Sequence, residues 1–284
     1  MAVSGFTIVR NATLLDFPLE ASLASVLPAV DEMVVNVGVS DDDTLARVHA
    51  IGDARIRVVE SRWNPERGTA MLADETQRAM AACRCPWGIY IQADEVLGDG
   101  GAAELRSMIE RHDSDRKVEG VLVDYRHFYG GFDAVATNRK WYARETRALR
   151  LDIDARSYRD AQGFRVGPEQ RRIRCVPSSA VIYHYGWARP AWALSAKRSE
   201  DATFDAARRA QDAARPLLPW IPGIKPFAGE HPAAARAWIA ERRTAAPLIA
   251  PFRPQWHHLR LVASGWIEQS TGWRPFAYRN YARI

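Results

Sequence analysis

The chain has 284 residues, 47% of them hydrophobic, enough to bury a large core as one big domain or as a domain with an appendage. No apolar run approaches the roughly 18–20 residues of a membrane span, and "MAVSGFTIVRN" lacks the basic start and apolar core of an export signal, so a cytoplasmic protein is expected. Charge is uneven: residues 1–150 hold 18 Lys/Arg against 23 Asp/Glu, a net −5, and residues 151–284 hold 21 against 11, a net +10. The basic half suits a phosphate-bearing substrate, a membrane surface or nucleic acid, or is a solvated Arg-rich surface.

Strand and helix signals alternate along the first half. "FTIVRN" (6–11) is a short strand, and residues 18–30 have helical spacing with Pro18 near the start. Residues 32–40 are β-branched and apolar, and "DDDTLARVHAI" then opens with cap-type residues and turns helical. Residues 55–61 predict a third strand and 68–82 a helix. Residues 87–93 predict a fourth strand, 102–112 a helix and 119–129 a fifth strand. This order predicts an α/β fold with a mainly parallel sheet covered on both faces. Ligands of such sheets bind at the carboxyl ends of the strands, where Asn11, Ser40, Asp41, Asp94 and Glu95 fall.

The second half is less regular. Residues 139–151 mix Arg with aromatics, and 178–190 form an apolar strand running into "YHYGWARP". From about residue 191 the chain reads as helical, then Pro-rich over 215–227, then helical again near 232–243. Trp220, Ile221 and Phe227 interrupt the prolines, which predicts an ordered wrap over the core. Arg/aromatic mixing of this kind does not have the strand spacing of a stacking platform, so nucleic acid is not an expected partner. Cys83, Cys85 and Cys175 cannot all pair within one chain, and no Cys/His spacing suits zinc; reduced thiols are expected.

The chemistry centres on "WGIYIQADEVL" (87–97), a strand that runs into two adjacent carboxylates. Buried carboxylates are costly unless a cation meets them. Strand-end acids suit a divalent cation that carries a diphosphate, since such ions take oxygen ligands and neutralise a departing nucleoside diphosphate. No Gly-rich phosphate loop is present, which counts against kinases, dehydrogenases and nucleotidyltransferases.

These residues together resemble family 2 glycosyltransferases of the GT-A fold, particularly a bacterial subgroup with an "ADEVL" variant of the Asp-x-Asp motif. The resemblance covers roughly residues 6–190, with a mostly helical C-terminal extension over 191–284. It implies transfer of a sugar from a nucleotide sugar (UDP, GDP or dTDP type) to a hydroxyl acceptor, with inversion and a divalent cation, in bacterial glycan or glycoconjugate synthesis. Asp94 matches the metal-binding Asp, and Gln92 stands where the first Asp would be. Asn11, Asp41, Arg67 and Gly68 match donor-side positions. In "YHYGWARP", His184 matches a residue that completes the metal site, with Trp187 and Arg189 in support. Glu95 is expected to support rather than ligate. An imidazole ligand favours Mn²⁺ over Mg²⁺. Removal of the acceptor proton needs a carboxylate; Asp160, in "YRDAQGFR", is the candidate, with Asp133 and Glu145 as rivals.

Each assignment has a plainer competitor. Asp94 and Asp41 could cap helices, His184 could be a satisfied core histidine, and Asp160 could be a turn residue pairing Arg159 or Arg165. Gln92 leaves open a degenerate domain that binds nucleotide sugar or a partner without turnover. Trp238, Trp256, Trp266 and Trp273 lie among the arginines of the tail, either on the core or against the inner face of a membrane bearing a lipid-linked acceptor.

Overall fold

The computed structural model describes residues 1–204, 217–243, 248–275 and 279–284. Strands β1 (Val3–Val9), β2 (Glu32–Gly38), β3 (Ile56–Ser61) and β4 (Trp87–Tyr90) are parallel, in the order β3-β2-β1-β4. They are near-continuously apolar because helices cover both faces. On one face lie α1 (Leu19–Val26), α2 (Thr44–Ala50) and, further on, α4 (Gly101–His112), through Leu23, Val48, Leu105 and Ile109. On the other lies α3 (Ala70–Ala81), through Ala79 and Met80. This is the α/β class that the alternation predicted.

Beyond β4 the sheet continues through strands of which the sequence pattern showed only two, at 119–129 and within 178–190. After β5 (Glu95–Leu97) come β6 (Gly120–Tyr129), β7 (Ala134–Ala136), β8 (Arg144–Arg150), β9 (Ala155–Tyr158), β10 (Gly163–Val166) and β11 (Arg171–Trp187). The order runs on as β4-β8-β6-β11-β10-β9. Strand β8 is antiparallel to both neighbours, which restores β6 and then β11 to the direction of β4. The carboxyl ends of β1, β2, β4, β6 and β11 therefore share one edge of the sheet. The segment 139–151, read only as an Arg/aromatic mixture, contains β8. Its arginines are tolerated inside because each finds acceptors: buried Arg150 donates to the carbonyls of Val118, His112 and Asp113 and lies over the Trp87 ring.

The fourth strand also ends earlier than expected, at Tyr90 rather than Ala93. The chain turns, with Glu95 N–H donating to Gln92 O at 2.9 Å, and leaves as β5, antiparallel to β11. Asp94 thus sits at the corner of a turn.

The C-terminal residues include α5 (Ala191–Phe204), β12 (Ile224–Pro226), α6 (Arg236–Arg242), α7 (Trp256–Thr271) and β13 (Tyr281–Arg283). The part of the helical expectation falling on 205–216 lies outside the described residues. The extension is not only helical, since β12 pairs with β7 and β13 with β11. Leu218, Ile221 and Ile224 of the Pro-rich stretch pack with Tyr129 and Ala136, an ordered wrap as expected. The tryptophans divide. Trp238 packs edge-on to Phe132 at 5.4 Å, whereas Trp256 and Trp266 are 88% and 70% exposed. With Leu259 and Val262 they form an exposed apolar stripe on α7, opposite the buried face of His258, Leu261 and Ser264. No helix among the described residues is long and apolar enough to cross a membrane.

Candidate functional site

The turn after β4 delivers Asp94 to the shared carboxyl edge, where β11 holds it: Tyr185 N–H donates to Asp94 O at 2.8 Å. Pairing of β5 with β11 sets His184 opposite Glu95, and pairing of β11 with β6 sets the same His184 opposite His127. His184 therefore arrives beside Asp94 from across the sheet, with Nε2 3.6 Å from Asp94 Oδ2.

The two adjacent carboxylates, Asp94 and Glu95, are met differently. Glu95 is fully buried and takes a two-pronged ion pair from Arg147, at 2.8 and 3.1 Å. Tyr125 Oη donates to it at 2.7 Å and Gln92 N–H at 3.1 Å. It supports the turn and does not face the cavity. Asp94 is met by Arg189 at 3.0 Å and Lys197 at 3.5 Å, besides His184. Burial pushes the Asp94 carboxyl up, but the charges of His184, Lys197 and Arg189 outweigh it and hold the group well below the usual carboxylate range. Neither acid caps a helix; α4 begins six residues beyond Glu95. Arg189 also donates to Leu15 O and lies over the Phe17 ring, so it is fixed in place. Lys197, from α5, sits over the Trp187 ring.

The hydrogen bonds assign the imidazole tautomers. His127 Nε2 lies 2.7 Å from the Tyr142 carbonyl, which only accepts, so Nε2 carries a proton. Burial, and next the charge of His184, press the His127 pKa well below its ordinary value, so the ring is neutral and its Nδ1 accepts. His184 Nδ1, 3.0 Å away, is then the donor. That leaves His184 Nε2, on the Asp94 side, as the atom that takes up either a proton or a metal. The backbone leaves room there. A Cβ on Gly186 would stand 2.6 Å from His184 Nε2 and 2.9 Å from Asp94 Oδ2. An imidazole with a directed lone pair, a carboxylate and a cradle that a methyl group would fill together fit one divalent cation. Among the described residues no three His, Cys, Asp or Glu side chains gather as a full protein cage. A cation there would draw its remaining ligands from a bound anion or water.

A cavity of about 350 Å³ opens over this point, with Arg10, Trp63, Thr69, Gln92, Asp94 and Asp160 in its wall. His184, Trp187, Lys197 and Glu200 also line it. Asn11 and Asp41 do not line it; they adjoin Arg10 of its wall and are bound to each other, Asp41 N–H donating to Asn11 Oδ1 at 2.8 Å. Asn11 adopts a left-handed conformation (φ 53°), which Asn tolerates better than most residues. Arg10 pairs Asp41 at 3.3 Å and Glu200, also of the wall, at 2.6 Å. Asp41 caps nothing; α2 begins three residues on. Arg67 and Gly68 do not line the cavity. Arg67 pairs with Asp74 at 2.9 Å in solvent, and the next residue but one, Thr69, takes the wall position instead.

Of the three carboxylates weighed as a base, Asp160 alone reaches the cavity among the described residues. Asp133 is exposed and pairs with Arg243 at 2.6 Å. Glu145 is buried behind Gln162 and Asn280, each donating at 3.1 Å, and burial raises its carboxyl to about 7. Asp160 stands in a loop whose neighbours Arg159 and Ala161 both have positive φ (57° and 61°), a costly backbone for residues with a Cβ. The loop is held by Gln92 Nε2 on Ala161 O at 3.4 Å and by Arg147 on Gln162 O at 3.1 Å. Gln92, the residue replacing an expected Asp, thus ties the turn of Asp94 to the loop of Asp160. Lys197, Glu200, Arg10, Tyr142 and His127 escaped the sequence reading. Only Arg10, next to Asn11 at a strand end, stood where a signal existed.

The sequence matches no protein-family model and no curated protein. Solved structures resemble the chain at low identity. Staphylococcus aureus TarS 1–349 aligns with a TM-score of 0.41 and 16% identity over 75% of this chain and 70% of its own. Mycobacterium tuberculosis glucosyl-3-phosphoglycerate synthase, in complex with Mn²⁺, UDP and phosphoglyceric acid, gives 0.33 and 20%, over 44% and 43%. Mannosyl-3-phosphoglycerate synthase from Rubrobacter xylanophilus gives 0.33 and 19%, over 45% and 41%. This chain spans less than half the length of the last two. Likenesses of this size carry no activity over to it.

Proposed function

We propose that the protein is a glycosyltransferase of the GT-A type that moves a sugar from a nucleoside diphosphate sugar to a hydroxyl acceptor. The observation that carries this reading is the convergence of Asp94, His184, Lys197 and Arg189 at the carboxyl edge of the sheet, with Asp160 in the wall of the same cavity. The donor diphosphate lies against Lys197 and the cation site, with the nucleoside toward Asn11 and Asp41. Asp160 accepts the acceptor hydroxyl proton as the new C–O bond forms and the sugar–phosphate bond breaks. The electron pair leaves with the nucleoside diphosphate, beside Lys197 and Arg189. Attack from the side opposite the diphosphate inverts the anomeric centre. A divalent cation held by Asp94 and His184 would supply Lewis-acid neutralisation of the diphosphate, with Mn²⁺ favoured over Mg²⁺ by the imidazole.

Titration calorimetry with UDP, GDP and dTDP, each with and without Mn²⁺, tests this. One nucleotide binds, more tightly with Mn²⁺. Asp94→Asn and Gly186→Ala both remove the Mn²⁺ increment, the first by loss of the anionic ligand and the second by filling the cradle. No binding of any nucleotide would sink the reading. Tight binding without release of nucleoside diphosphate to any acceptor would favour the alternative, a domain that holds nucleotide sugar without turnover.

The α7 stripe supports a peripheral contact with an anionic membrane surface, since exposed Arg253 and Arg260 flank its tryptophans. The protein is expected to co-sediment with phosphatidylserine vesicles and Trp256→Ser/Trp266→Ser to stay in solution. Equal behaviour of the two proteins would remove this contact.

A further inference from the structure

A second cleft of about 830 Å³ adjoins the donor cavity and shares part of its wall: Tyr142, Asp160, Gln162, His184 and Trp187 line both. We infer that this cleft is the acceptor site and that it takes an acceptor bearing a phosphate group. The inference rests on the glycosyl-transfer reading and adds the class of acceptor to it.

The wall of the cleft carries Arg126, Arg139, Lys140, Arg144, Arg274 and Arg279. Its acids are Asp124, Asp160 and Glu268. Two of these are engaged inside the wall, Asp124 by Arg144 at 2.5 Å and Glu268 by Arg274 at 3.2 Å. Among the described residues no carboxylate lies within 4 Å of Arg126, Lys140 or Arg279, so the cleft presents uncompensated positive charge. A carboxyl or hydroxyl group alone does not balance such a surface, whereas a phosphate monoester carries close to two charges and three acceptor oxygens.

The cations are not all loose surface groups. Arg126 lies over the rings of Tyr183 and Phe227, at 5.0 and 5.5 Å, and donates to Tyr183 Oη at 2.5 Å. Its planar guanidinium is held, so less freedom is lost when it binds an oxyanion. Lys140 and Arg279 are exposed and come from different elements, the loop before β8 and the segment before β13. Trp141 and Tyr142, both half-buried, also line the cleft and supply aromatic surface of the kind that packs against a polyol. A ligand whose phosphate is held on the arginine side reaches toward Asp160 with its hydroxyl. Asp160 itself carries no ion pair among the described residues, which leaves its carboxylate available to that hydroxyl.

The test uses the full chain saturated with the nucleotide it binds, and glucose 6-phosphate against glucose as probes. Glucose 6-phosphate is expected to bind, glucose at least about tenfold more weakly, and added salt to weaken only the former. Lys140→Glu/Arg279→Glu, at two exposed positions, lowers the affinity for glucose 6-phosphate by about tenfold or more and leaves nucleotide binding unchanged. The phosphate could instead be borne by a lipid. In that case vesicles with phosphatidic acid retain the protein better than an equal charge of phosphatidylserine, and the same double reversal removes the preference. Nucleotide bound normally, with phosphorylated and neutral probes indistinguishable and no preference between vesicles, overturns the assignment of the cleft. Failure of every nucleotide to bind removes the glycosyl-transfer reading itself, and the acceptor assignment with it.

Discussion

Asp160→Asn is expected to lower glycosyl transfer by roughly 10²–10⁴-fold, the usual contribution of a positioned proton acceptor, while nucleotide affinity changes little. Asp160 is the carboxylate that both cavities share, so an acceptor hydroxyl in one and a sugar in the other meet beside it. The strained loop around it supports the assignment. Two consecutive-but-one residues at positive φ persist only where surrounding contacts impose them, and here Gln92 and Arg147 do so through the carbonyls of Ala161 and Gln162, just after Asp160. The comparison with Glu145→Gln makes the result specific. Glu145 has a carboxyl raised to about 7, in the range of a general base, but the cause is burial and its reach ends at Gln162 and Asn280. Glu145→Gln keeps transfer within a few fold. Steady-state rates with each variant decide: loss in Glu145→Gln with retention in Asp160→Asn would exchange the roles.

The sequence made some of this legible and hid the rest for physical reasons. Parallel strands buried on both faces write themselves as apolar runs, so β1 to β4 and β6 could be seen, and with them the edge carrying Asn11, Asp41 and Asp94. Strand β8 was hidden because its inward residues include Glu145, Arg147 and Arg150, which are buried through pairing and carbonyl contacts rather than through apolarity. His184 could be placed because it follows an apolar strand at the right edge. Its partner His127 could not, since only the register of β6 against β11 brings the rings together. Lys197 and Glu200 come from a helix about a hundred residues beyond Asp94, and no local pattern reports which face of α5 turns to the cavity. Arg67 was misplaced for the opposite reason. It stood in the right loop, but Asp74, one helical turn into α3, supplies a nearer anion.

Arg147→Met is expected to destabilise the fold by about 3–5 kcal/mol, the cost of leaving a fully buried charge without its partner. Both Arg147 and Glu95 have no exposed side-chain surface, and Arg147 lies between the rings of Tyr90 and Tyr125 at 5.1 and 5.2 Å. In so dry a setting neither solvent nor salt can stand in for the lost guanidinium. Adding Glu95→Gln to Arg147→Met should recover a large part of the loss. The amide is uncharged: its oxygen accepts from Gln92 N–H and its NH2 donates to Tyr125 Oη, which turns to accept, where the two carboxylate oxygens now accept at 3.1 and 2.7 Å. Urea unfolding of the wild type, both single variants and the double variant gives the coupling between the two sites. Coupling below about 0.5 kcal/mol would show the pair to be independent and the argument wrong. The pair also has a functional consequence. Glu95 holds the turn that presents Asp94, and Arg147 holds the carbonyl of Gln162 in the loop that presents Asp160. One buried ion pair thus fixes the cation-binding carboxylate and the proton acceptor relative to each other, and the double variant, though folded, should bind nucleotide with a weakened Mn²⁺ increment.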